Sequence, residues 1–138
     1  MAIRKALVFI GGKIKELPVA DLLDAPPRTV DVTVPAPVAG DAIPLIIPHQ
    51  AITILGVKAY LKGGTSVTFN VGWGTNPVTL GTNLFTANQV ANTLTSVDVT
   101  WDALANSAVP ANNAVELAIS AVNGTVTWFK LTLIYRLT

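Results

Sequence analysis

The stretch from Ala114 to Leu137 constrains this chain more than any other. Apolar and polar residues alternate from Ala114 to Val122 and again from Thr125 to Leu137, with Asn123-Gly124 between the two runs. In the second run Phe129, Leu131, Leu133, Tyr135 and Leu137 fall on one side, and Trp128, Lys130, Thr132, Ile134 and Arg136 on the other. A period of two is that of a strand with one buried face. Asn-Gly between alternating runs is the strongest short-range hairpin signal, because both residues accept the positive φ of a type I′ turn. The reading is therefore a hairpin. A lone hairpin is marginal in water, so further strands must lie beside or above it.

The chain upstream supplies them. Strand candidates are Ala42 to Ile47, Ala51 to Leu61, Ser66 to Trp73, Thr79 to Phe85 and Thr95 to Trp101. Gly63-Gly64 reads as a hairpin turn, and Gly74-Thr75-Asn76-Pro77 as a second turn. Asp102 to Ala108 is the one helical candidate, limited by Pro110, and Ala87 to Thr93 reads as loop. Short strands at regular spacing, in a chain rich in Thr and Val, predict an all-β fold: an antiparallel β-sandwich or jelly roll.

Charge and proline are unevenly spread. Residues 1–41 hold ten of the seventeen charged side chains and five of the nine prolines, which places a boundary near residue 40. The expected organisation is an extended N-terminal arm over 1–41 and a sandwich over 42–138. Within the arm, Ala6 to Ile10, Gly11-Gly12 and Lys13 to Leu17 form a small β-hairpin, and Asp21 to Asp24 one helical turn that Pro26-Pro27 stops. Thr29 to Val34 alternates with Val30, Val32 and Val34 together, and Pro35-Ala36-Pro37 favours extended polyproline geometry. The arm has few apolar residues of its own to bury, so it is expected to lie against something else.

Composition narrows the function. Only 12% of residues are charged, against about 25% in an average soluble domain, so part of the surface is expected to be covered by copies of the chain or by another protein. A net charge of +1 gives no electrostatic case for nucleic acid or membrane. With no Cys there is no disulfide framework, thiolate metal site or Cys nucleophile. The N-terminus lacks a signal-length apolar region, which reads as a protein made and used without secretion.

No catalytic, metal or cofactor site is expected. His49 is the single histidine, between Pro48 and Gln50, and reads as a surface or capping residue. Asp98 and Asp102, or Asp98 and Glu116, would form a carboxylate pair only by accident of folding. The glycine pairs lack the Lys-Ser/Thr and helix of a phosphate loop. Trp73 and Trp101 sit in phase with apolar neighbours and read as core. Trp128 is out of phase, on the outer face with Ile134, and these two are the candidates for a contact between subunits. An exposed Trp128 also leaves open a carbohydrate-binding module.

Residues Arg4 to Asp21, reading RKALVFIGGKIKELPVAD, resemble a short N-terminal attachment module of tailed-bacteriophage virion proteins, in which an alternating run and turn lead to Glu-Leu-Pro-x-Gly/Ala-Asp. Here Ala20 stands where Gly is commoner. Residues 63–72 (GGTSVTFNVG) and 109–113 (VPANN) are similar to small phage jelly-roll proteins. The resemblance is greatest to capsid decoration, or cement, proteins. It implies a homotrimer on the outer capsid surface of the virion, bound to the major capsid protein, with Arg4, Lys5, Lys13, Lys15 and Arg28 as candidate capsid contacts. The absence of a shaft after the compact domain turns the expectation toward the capsid exterior; a tail- or head-fibre adaptor is the alternative.

Overall fold

The computed structural model describes residues 7–10, 13–16, 25–76, 78–92, 97–100 and 104–138, with the side chains of 7–10, 13–16 and 97–100 outside the description. Arg4, Lys5, the turn expected at Asp21 to Asp24, Trp101 and Asp102 lie outside the described residues.

Strands β1 (Leu7–Ile10) and β2 (Lys13–Glu16) pair antiparallel, with Ile10 opposite Lys13. Ten further strands follow: β3 (Arg28–Pro35), β4 (Ala42–Ile46), β5 (Ile52–Gly63), β6 (Ser66–Gly74), β7 (Thr82–Asn83), β8 (Gln89–Asn92), β9 (Val97–Thr100), β10 (Ala108–Val109), β11 (Ala114–Asn123) and β12 (Val126–Leu137). They form two sheets with every pairing antiparallel. In the first, β3, β12 and β5 lie side by side, and β9 and β10 share the far edge of β5. In the second, β4, β11 and β6 lie side by side, and β7 and β8 share the far edge of β6.

Counted as eight lanes in chain order, the sheets read 1-8-3-6 and 2-7-4-5. Lane 1 pairs with 8, 2 with 7, 3 with 6 and 4 with 5, so the chain is one long antiparallel ribbon rolled on itself. That is a jelly roll. The described residues contain no helix.

This topology corrects the opening expectation. β11 and β12 are the predicted strands, but they belong to different sheets, so Asn123-Gly124 joins sheets and closes no hairpin. Gly63-Gly64 likewise carries the chain from β5 in one sheet to β6 in the other. Local backbone geometry does not decide this: of Asn123-Gly124 only Gly124 has positive φ, at 77°, while Gly63 and Gly64 both have it, at 75° and 66°, as a type I′ turn requires, and both segments still cross between sheets. The two crossings lie against each other, with Thr65 N donating to Asn123 O at 2.8 Å. The chain beyond Gly74 does return as a strand that pairs with β6, namely β7.

The boundary moves as well. β3 is hydrogen-bonded along β12 from Arg28 opposite Tyr135 to Pro35 opposite Trp128. The sandwich therefore begins at residue 28, not 42. The alternation of Val30, Val32 and Val34 is what puts it there, because those residues pack on the core and Val34 is buried. Ala36, expected in extended geometry, takes φ 44° and donates to Thr127 O, turning the chain from one sheet toward the other.

The core lies between the sheets. Phe129, Leu131, Leu133 and Tyr135 of β12 point inward as expected, and Phe129 meets Phe69 of β6 at a ring separation of 5.3 Å. On β5, Ile52 and Ile54 are buried, then Val57, Ala59 and Leu61. The phase slips by one because Leu55 is the extra residue of a β-bulge: Ile134 faces Gly56 and Tyr135 faces Ile54. Trp73 is partly buried against the core, its Nε1 donating to Asn106 O at 3.2 Å.

Lane 5 departs most from expectation. Thr79 to Phe85 pairs only at Thr82–Asn83, and the predicted loop after Ala87 contains β8. Between them the ladder breaks, and Asn70 fills the break. Its Oδ1 accepts from Phe85 N at 3.3 Å and Val71 N at 2.8 Å, while Nδ2 donates to Phe85 O and Asn88 Oδ1. Of the helical candidate, residues 104–107 are not helical and Ala108 belongs to β10. Ala105 N donates to Leu84 O instead, a contact between lanes that outranks local helix propensity.

Candidate interaction surface

The two outer faces differ in charge. Between residues 25 and 138 every Lys and Arg stands on β3, β5 or β12: Arg28, Lys58, Lys62, Lys130 and Arg136. The strands of the opposite sheet carry one charged residue, Glu116. Strand alternation sets this, because inward positions on β5 and β12 are apolar and the lysines occupy the outward ones.

The outward rows of the basic face follow from the register. Lys62, Trp128 and Pro35 form one row; Tyr60, Lys130 and Thr33 the next; Lys58, Thr132 and Asp31 a third; Gly56, Ile134 and Thr29 a fourth. Trp128 is half-buried and meets Tyr60 edge to face, with ring centroids 5.2 Å apart at 85°. Tyr60 is 46% exposed. Thr132 Oγ1 donates to Asp31 Oδ1 in the third row. Trp128 and Ile134 thus share a face as expected, but six residues of strand, about 20 Å, separate them. Sequence reading did not single out Tyr60. The signal for it is the Ile52-Ile54 then Val57-Ala59-Leu61 spacing, whose one-residue slip turns Tyr60 outward.

At the end of the sandwich where β3 begins, Arg28, Ile47, His49, Gln50, Tyr135 and Leu137 line an open cleft of about 320 Å³. His49 is exposed there, and no carboxylate lines the cleft. Among the described residues, no group of three His, Cys, Asp or Glu could hold a metal ion, and no helix is long and apolar enough to cross a membrane. Of the expected capsid contacts, Arg28 is exposed at the start of β3, and Lys13 and Lys15 stand on β2 with their side chains outside the description.

No protein-family model matches the chain, and no curated protein matches it in sequence. Solved structures do. A chain in the capsid of Ralstonia phage GP4 is 23% identical and superposes with a TM-score of 0.52, covering 88% of this chain and 90% of that one. The two share a fold. The acid-stable capsid of Helicobacter pylori bacteriophage KHP30 contains a chain 14% identical, with a TM-score of 0.48 over 83% of this chain and 90% of that one. One in the capsid of cyanophage Pam1 is 18% identical, with a TM-score of 0.41 over 83% and 87%. Both fall below a TM-score of 0.5 and are weaker likenesses than the first.

Proposed function

We propose that this chain is a structural protein of a bacteriophage virion, a decoration protein that attaches to the outer surface of the assembled head and stabilises it as a trimer. The observation that carries this reading is the likeness to the GP4 capsid chain along nearly the full length of both. The resemblance of residues 4–21 to a virion attachment module supports it independently.

In this reading the sandwich starts at β3 and residues 1–27 are the attachment arm. Arg4, Lys5, Lys13 and Lys15 meet acidic surface of the major capsid protein, with Arg28 at the joint. A ligand that binds only the assembled shell stabilises it by mass action. Three arms on one trimer raise avidity without strong individual contacts. Copies meet near Ile134, whose row lies at the end of the sheet from which the arm departs.

The test mixes capsids lacking this protein with the full chain and with a version lacking residues 1–27. The full chain is expected to bind and to raise the melting temperature of the shell, and the truncated one to do neither. Unimpaired binding without the arm would overturn the proposal.

A further inference from the structure

We propose that the Trp128–Tyr60 end of the basic face is a binding site for an anionic polysaccharide, one whose sugars carry carboxylates. The proposal goes beyond capsid attachment and does not rest on it.

The first two rows of the face set Trp128 beside Lys62 and Lys130 beside Tyr60, so aromatic and cation alternate in both directions. Cα atoms of such cross-strand partners lie about 5 Å apart, and same-face neighbours along a strand about 7 Å. The two rings stand at 85° to one another, so the pair offers one stacking face bordered by the other ring. A sugar ring laid on that face has an ammonium within reach of its carboxylate. Thr33 and Pro35 continue these rows on β3, and among the described residues neither row contains a carboxylate. Two acidic residues lie one row further on: Asp31, engaged by Thr132, and Asp98, which stands opposite Lys58 in the register.

Charge complementarity calls for an anion, and the aromatic pair chooses among anions. Ring faces of Trp and Tyr bind apolar C–H surface while their polar tips stay wet, a combination sugars match. A contact between proteins fits less well, because lysine is depleted from the centres of protein interfaces while Lys62 and Lys130 stand beside the two aromatics here.

The test measures retention of the full chain on immobilised alginate, a polyuronate, with neutral dextran and poly-glutamate as comparisons. Trp128→Ala and the double variant Lys62→Gln/Lys130→Gln are run alongside, with solution mass recorded by light scattering. Alginate is expected to retain the protein, dextran not, and poly-glutamate more weakly. Trp128→Ala should weaken alginate binding roughly tenfold at any salt, and the lysine variant chiefly at low salt, where exposed charges are least screened. Absence of retention on alginate overturns the proposal. So does equal retention on poly-glutamate with no effect of Trp128→Ala, which would mark simple attraction to acidic surfaces. A change of solution mass in Trp128→Ala with unchanged alginate binding would assign the patch to a contact between copies instead.

Discussion

Gly64 and Gly124 show how single residues close this fold. A Cβ on Gly64 would sit 2.5 Å from Val126 Cγ2 and 3.1 Å from Asn123 O, at a φ of +66°. One on Gly124 would sit 2.9 Å from the Gly64 Cα. The backbones of the two sheet crossings touch, and a side chain on either would separate them. Gly64→Ala is expected to lower stability by about 2–4 kcal/mol, from left-handed strain plus overpacking. Gly81, with open space around it, should accept Ala within about 0.5 kcal/mol. Urea unfolding midpoints of the two variants compare them directly. Asn70 is the polar counterpart. Asn70→Ala removes the acceptor for Phe85 N–H beside the core and is expected to cost about 1–3 kcal/mol in the same assay. That Gly-Gly and Asn-Gly mark sharp turns was legible in the residues. Which strands those turns join was not, because positive φ describes a bend and says nothing of the sheet on either side.

Among the elements, β3 decides where the sandwich begins. From Arg28 to Pro35 it covers the edge of β12 between Tyr135 and Trp128, and it brings buried Val34 to the core. Removing residues 1–27 is therefore expected to leave cooperative unfolding near that of the full chain. Removing 1–41 strips an edge strand, exposes the ladder of β12 to pairing with other chains, and should give a lower melting temperature and aggregates on size-exclusion chromatography. The alternation of Val30, Val32 and Val34 announced the strand, whereas the surrounding prolines and charges argued for a separate arm. Pairing outweighed composition because β12 otherwise presents an open edge. Lane 5 failed in the opposite way. Its strands are two and four residues long, too short for periodicity to register, and β6 recruits them because its far edge also needs partners.

For the molecule as a whole, the separation of charge between faces is the property with most consequence. The proposed trimer predicts a solution mass three times 14.4 kDa by light scattering, and Ile134→Lys, which sets a desolvated charge in the proposed contact, should shift it toward the monomer. The sequence by itself determined that the chain is all-β, which strands are long, which of their faces are buried and that Trp128 points outward, because alternation is a property of consecutive residues. Only the tertiary structure decided that β11 and β12 part company, that β3 belongs to the sandwich, that Asn70 fills a break in a ladder, and that Tyr60 stands against Trp128. Each of these depends on which strand lies beside which, and in a rolled ribbon those partners are far apart in the chain.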